Sequence, residues 1–284
     1  MTSPRILLRT SNLRAKKGLG QNFISDPSMA EMIAARSGVA EDDIVLEIGA
    51  GLGALTSPLA RRANRIYAVE KDPEIADILK RQLIDGHISN VDVIIGDILK
   101  LDIRALSGKE NRKLVVLGNL PYNISSQVLV QLIHEREVVN SAVLMFQKEM
   151  ALRLLARPCS RDYSRLTVML HYCAEVKPIL EIKAACFHPR PKIDSEVLEI
   201  SFNKNYDASS REEKYLFRVI KAAFGRRRKT LKNSLSKSEL GIDVNNILKS
   251  LDRAGIDPMR RAETLTVPEF IRLSASIRAY DDMF

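Results

Sequence analysis

Val45-Leu46-Glu47-Ile48-Gly49-Ala50-Gly51-Leu52-Gly53 is an apolar run that ends in three alternating glycines. A helical pattern follows it. Such a run reads as a buried strand, and glycines at its end let backbone approach a ligand closely while the next helix offers free N–H groups. The spacing is Gly-x-Gly-x-Gly, so it lacks the third glycine position of the dinucleotide fingerprint. Taken alone, the turn is weak evidence, because many α/β proteins need glycine there for tight packing.

Outward from this turn, β-rich runs alternate with helical patterns between Ile44 and Phe202. The candidate strands are 44–48, 65–69, 91–95, 114–117, 142–146, 166–173 and 197–202. Helical stretches such as 72–83 and 126–135 lie between most of them. That alternation predicts an α/β fold with a mostly parallel seven-stranded sheet. Pro178, Pro189 and Pro191 forbid a long crossover helix over 174–196, so the last strand is expected to pair antiparallel. After Asn203 the β-rich runs stop, and 212–224, 226–235, 244–254 and 267–280 read as helices. The expected organisation is residues 1–205 as the main domain, with a basic N-terminal arm, and 206–284 as a small all-α domain.

The chain of 284 residues is long enough for a large core, and no apolar stretch approaches membrane-spanning length. Residues 1–20 have no signal-type apolar core. Cys159, Cys173 and Cys186 are odd in number and lack metal spacing, and the four histidines are scattered. Disulfides and a metal site are not expected, and a cytoplasmic protein is. The net charge is +9, and it is uneven: residues 1–20 and 207–284 each carry +5, which leaves the middle near neutral. The densest run is Arg226-Arg227-Arg228-Lys229, with Lys232 close behind. Basic ends on a neutral body suit a polyanion touching two places, although any single basic run is more often a solvated face.

The acids at the other strand ends strengthen the reading of the glycine turn. Glu70 ends the second strand, placed to accept from ribose hydroxyls. Asp97 follows the third, placed to accept from an adenine amino group. Asn119 ends the fourth, opening Asn119-Leu120-Pro121-Tyr122. There an amide oxygen, carbonyls held by a proline and an aromatic face surround one point, a group suited to an exocyclic amine on a flat base. Each has a plainer alternative: Glu70 and Asp97 as helix caps, Tyr122 as an exposed turn residue. Four in register at consecutive strand ends favour a ligand site.

Gly20-Gln21-Asn22-Phe23-Ile24, Glu47–Gly53, Glu70, Asp97, Asn119–Ser125, Phe187-His188-Pro189-Arg190-Pro191-Lys192 and Phe224-Gly225-Arg226-Arg227-Arg228-Lys229-Thr230 occur in that order. From about Arg14 to Glu269 the chain resembles the ribosomal RNA adenine dimethyltransferases, most of all the bacterial small-subunit type. Leu19 and Ala50 depart from the usual phenylalanine and proline, without removing a ligand group. The resemblance implies a Rossmann-like class I methyltransferase domain with S-adenosyl-L-methionine as methyl donor. It also implies N6,N6-dimethylation of two adjacent adenosines in a hairpin loop near the 3′ end of small-subunit (16S) rRNA, within an immature 30S subunit. Carried over residue by residue, it gives Asn22, Ile24, Gly49, Glu70, Asp97 and Asn119 to the cofactor. It gives Asn119, Leu120, Pro121, Tyr122 and Phe187 to the target base, and Arg226, Arg227, Arg228, Lys229 and Lys232 to RNA. The plainer alternative for Phe187 is core under a loop, and the resemblance alone favours the stacking role. A monomer is expected. The rivals are a sister enzyme acting on large-subunit rRNA, a nicotinamide-dependent oxidoreductase and a noncatalytic ribosome assembly factor.

Overall fold

The computed structural model describes residues 3–203, 209–226 and 228–281. Among the described residues nine strands form: β1 (Phe23–Ile24), β2 (Ile44–Ile48), β3 (Arg65–Glu70), β4 (Val91–Ile95), β5 (Leu114–Asn119), β6 (Val139–Gln147), β7 (Glu175–Ile182), β8 (Phe187–His188) and β9 (Ser195–Ser201). Seven of them make one sheet in the order β4-β3-β2-β5-β6-β9-β7, and β1 pairs with β8 in a separate two-stranded ribbon. The first five are parallel to one another, and β9 is antiparallel to β6. All five residues of β2 are buried, which is why this strand reads as an unbroken apolar run with one acid. The order reverses beside β2, where β3 leaves to one side and β5 to the other. That is the crevice where open parallel sheets hold ligands.

The chain divides into two units, Met1–Ala151 with Val176–Phe202, and Leu152–Glu175 with Asn203–Phe284. A single cut near Asn205 would keep 152–175 with the first unit. The stretch read as a strand over 166–173 is a helix, Arg165–Cys173, started by a capping box between Ser164 and Thr167. Short apolar runs do not reveal their period when nearly every residue is buried, and six of these nine are. The missing strand is β7, which contains Pro178 and lies at the sheet edge, where a residue without an N–H is tolerated.

The second unit is helical. Ser210–Phe224 opens with a capping box between Ser209 and Glu212, and burial of Val219 and Ile220 is complete. Phe224 stacks on Phe270 with ring centres 5.9 Å apart. The helix expected over 226–235 is only Leu231–Leu235; Arg226, Arg228 and Lys229 precede it in a turn. Arg227 lies outside the described residues.

Candidate active site

At the carboxyl ends of β2, β3 and β5 a hollow is lined by the glycine turn, by Glu70, by Asp97, by the turn after β5 and by residues 18–24 of the N-terminal strap. The strap is held in place in two ways. Leu8 and Phe23 bury with Leu52, Ile75 and Ile78. Lys16 Nζ binds Asp72 at 2.9 Å and Glu74 at 2.7 Å. Although burial pushes the Asp72 carboxyl up, Lys16 and Gln21 hold it below the ordinary range.

Gly49 turns with φ of +70°, and a Cβ there would meet the Asn119 carbonyl at 3.4 Å. A side chain at this position would be strained and would fill the floor of the hollow. The Gly51 N–H donates to Glu70 Oε2 at 2.9 Å, and the Asp72 N–H donates to Oε1 at 2.8 Å. Glu70 is therefore bolted between the glycine turn and the next helix, and each oxygen keeps a second lone pair. Burial pushes its pKa up, against those backbone donors.

Asp97 caps the turn 98–100 through Oδ1, which accepts from the Leu99 N–H at 3.1 Å. Its Oδ2 accepts from Lys71 Nζ at 2.8 Å, and this bond foremost holds the carboxyl below its usual range. The cap expected as the plain alternative is thus real for Asp97. For Glu70 it is not: Asp72 caps the helix after β3, accepting from the Glu74 N–H at 3.2 Å, while Glu70 braces the glycine turn.

Asn119 Nδ2 donates to the Asn22 carbonyl at 2.8 Å. A carbonyl oxygen only accepts, so the amide nitrogen must face it and Oδ1 points away. Beyond it, the Ile124 N–H closes on the Pro121 carbonyl at 3.1 Å, and the Ser125 hydroxyl on the Tyr122 carbonyl at 3.2 Å. Neither bond uses the Leu120 carbonyl. Tyr122 is half-buried, and its hydroxyl lies 3.3 Å from Ser195 Oγ. Asn22, Ile24, Gly49, Glu70, Asp97, Asn119, Leu120, Pro121 and Tyr122 therefore come together around one hollow.

Phe187 does not join them. It is 3 % exposed and packs in the core cluster with Ile24, Ile182 and Val197. It lies on the strand paired with β1, directly opposite Ile24, which does line the hollow. Conversely, sequence reasoning passed over Glu47 as a site residue. It lines the hollow, is 1 % exposed, and has Oε2 buried without a partner, as is the Thr56 hydroxyl. Burial pushes its pKa up to about 8, with the Glu70 charge adding to the rise and Thr56 opposing it without a well-formed hydrogen bond. The signal was present: an acid inside an otherwise apolar strand.

The hollow thus offers carboxylates and an amide to a ligand rich in hydroxyls, amines or positive charge. The family described as "Ribosomal RNA adenine dimethylase" matches residues 12–278. The chain belongs to that family. It is 50% identical over 277 residues to "Ribosomal RNA small subunit methyltransferase A" of Desulforapulum autotrophicum, covering 98% of this chain and 97% of the relative. It is 40% identical to the protein of the same name from Myxococcus xanthus, covering 98% and 96%. Among solved structures, a dimethyladenosine transferase from Plasmodium falciparum matches with a TM-score of 0.76 and 26% identity over 88% of this chain and 95% of that one. The 23S rRNA methyltransferase ErmE shares the fold, with a TM-score of 0.68 over 90% of this chain and 99% of that one.

As a family member the chain is an rRNA adenine dimethyltransferase that uses S-adenosylmethionine. The residues fit that donor. Glu70 and Asp97 bring carboxylates to the lining, Gly49 leaves the floor open, and the Glu47 Oε2 is a buried polar atom without a partner. Among the described residues no group of three or more His, Cys, Asp or Glu side chains is arranged to hold a metal, and no helix is long and apolar enough to cross a membrane.

Proposed function

We propose that this enzyme dimethylates N6 of two adjacent adenosines in the 3′-terminal hairpin loop of small-subunit rRNA, acting as a monomer on an immature 30S subunit in the cytoplasm. Two relatives named as small-subunit rRNA methyltransferases, both alike over nearly the whole chain, support the choice of subunit. The observation that carries the chemistry is the Asn119 amide, turned by its bond to Asn22 so that its oxygen is the group left for the base.

The N6 lone pair of adenine is delocalised into the ring, so N6 is a poor nucleophile. Bound S-adenosylmethionine supplies a methyl group already activated by sulfonium charge, so no residue has to activate a leaving group. The chain's task is to hold N6 in line and to favour the pyramidal, cationic nitrogen that develops. Asn119 Oδ1 and the Leu120 carbonyl accept from the N6 hydrogens. Both acceptors meet positive charge that grows only as the new bond forms, which is the differential binding that catalysis needs. Pro121 stiffens the turn that carries them, and fixed geometry lowers the barrier further. Tyr122 stacks on the extruded base, a contact worth roughly 1–3 kcal/mol. Asp97 and Glu70 orient the donor from the opposite side. As the methyl group passes to N6, the donor sulfur keeps the bond's electron pair, and the cationic nitrogen then releases one proton to water. For the second transfer N6 therefore keeps one hydrogen, so one acceptor suffices and the other must tolerate a methyl group. Arg226, Arg227, Arg228, Lys229 and Lys232 contribute charge for the RNA backbone.

Mass spectrometry of rRNA fragments from cells with and without the gene tests this reading. The expected result is two adjacent dimethyladenosines near the small-subunit 3′ end that vanish with the gene. A missing methyl group on large-subunit rRNA instead, or none anywhere, would refute it. Methyl transfer to purified immature small and large subunits gives the same decision in vitro.

A further inference from the structure

The second unit has a hollow of its own. It gathers four cations from three stretches of chain: Arg165 at the start of helix Arg165–Cys173, Lys221 and Arg226 around the end of helix Ser210–Phe224, and Lys237 just beyond helix Leu231–Leu235. Phe224 forms an apolar part of the wall. Glu239 is the one carboxylate among the lining residues, and it is bound to Lys221 at 2.7 Å.

Cations of the first unit are often committed to acids: Lys16 to Asp72 and Glu74, Arg62 to Glu31, Lys71 to Asp97, Arg104 to Glu135 and Glu137. In the second hollow, among the described residues, no carboxylate lies within ion-pair distance of Arg165, Arg226 or Lys237. Like charges held in one concavity repel, and an anion relieves that repulsion while gaining several partners. Arg226 is also ordered in advance. Its Nη2 donates to the Lys237 carbonyl at 3.4 Å, and its own carbonyl accepts from Ser234 Oγ at 3.4 Å. The Ser238 hydroxyl is used within the loop, donating to the Leu235 carbonyl at 2.6 Å. Holding a ligand thus falls to guanidinium and ammonium groups, of which the planar guanidinium fork matches phosphate oxygens in pairs.

We propose that this hollow, built from Arg165, Lys221, Arg226 and Lys237, binds a backbone phosphate of the rRNA substrate. The proposal rests on the rRNA reading above and adds to it a defined site that joins the basic run, through Arg226, to Lys221 and Lys237 on either side of it and to Arg165 far from it in sequence. A contact of this kind to a backbone phosphate positions RNA without selecting its sequence.

The test is the double variant Arg165→Ala/Lys237→Ala, which touches neither the methyl-transfer residues nor the donor hollow. Binding of a transcribed 3′-terminal small-subunit rRNA hairpin is measured across a salt series. The slope of log affinity against log salt should fall by about 1, with a several-fold loss at low salt. Affinity for S-adenosylhomocysteine and the melting temperature should stay unchanged, and Arg165→Lys/Lys237→Arg should keep the wild-type slope. If the double variant fails to fold, Lys237→Ala alone should lower the slope. An unchanged slope in a folded variant, where the wild type binds the hairpin, overturns the phosphate site and leaves the rRNA reading standing. A wild type that binds neither hairpin nor subunit removes both. Inorganic phosphate is the second probe: if it raises the melting temperature of the wild type but not of the variant while the RNA slope does not move, the site serves a free anion and the proposal fails.

Discussion

The hollow at the strand ends is lined by Glu47, Glu70 and Asp97, and backbone N–H groups hold two of these acids in position. The hollow in the second unit is lined instead by Arg165, Lys221, Arg226 and Lys237 on the exposed surface. The first suits a cationic donor and is shaped by main chain. The second suits a polyanion and is shaped by long side chains. A small ligand must be held to a fraction of an ångström for in-line transfer, which calls for buried, anchored groups. A large polyanion is attracted by summed charge, which works through water and tolerates mobile side chains. The chain's +9 is therefore a poor guide to its catalytic centre, where the acids prevail.

The sharpest way to break this contrast is at Asn119. Asn119→Ala should lower the rate roughly 100-fold or more, the scale of one transition-state hydrogen bond, with hairpin affinity nearly unchanged. Single-turnover methylation at saturating donor checks it, and near-normal turnover would remove the acceptor mechanism.

Next comes Glu47. Its folded pKa of about 8 lies above the ordinary 4.5 of an unfolded glutamate. The unfolded chain ionises first, so stability is lost as pH rises from about 4.5 to about 8, and the full penalty remains above that. Glu47→Gln should therefore raise unfolding stability at pH 8 by about 2 kcal/mol, less than the shift alone implies because a buried site relaxes. The gain should vanish near pH 4.5. Denaturant midpoints of both proteins at the two pH values decide it.

Neutralising Arg228 and Lys229 should flatten the salt dependence of RNA binding, by about 1 in slope for each phosphate they neutralise, while donor binding stays intact. No change would make that stretch a solvated face.

The smallest effect is expected at Lys71, whose ammonium binds Asp97 from a half-exposed position. Lys71→Met should weaken S-adenosylhomocysteine binding a few-fold. Asp97 is held ionised mainly by the Lys71 ammonium. Removing that charge should shift the acid limb of binding upward in pH, and Lys71→Arg should restore the limb. Calorimetry over a pH series measures both. A limb that does not move would leave Asp97 to its turn alone.

Much of the first hollow's lining was legible in the chain, because several of its groups sit at or just past a strand end. Gly49, Glu70, Asp97 and Asn119 fall at consecutive strand ends, and a parallel sheet brings such ends to one edge. The errors came where periodicity carries no information. Residues 166–173 are apolar and β-branched enough for a strand, yet a cap at Ser164 begins a buried helix. Arg165 had no signal at all, since nothing local links it to Arg226.

Local sequence determined the strand-and-turn units, their polarity and the chemical groups at their tips, because these depend on neighbours a few residues away. Tertiary structure alone decided which way the Asn119 amide faces, that Glu47 is shut from water, that Phe187 is inside, and that cations far apart in the chain share one concavity. Those outcomes depend on contacts between distant segments and on exclusion of water, and neither is written in any short stretch of the chain.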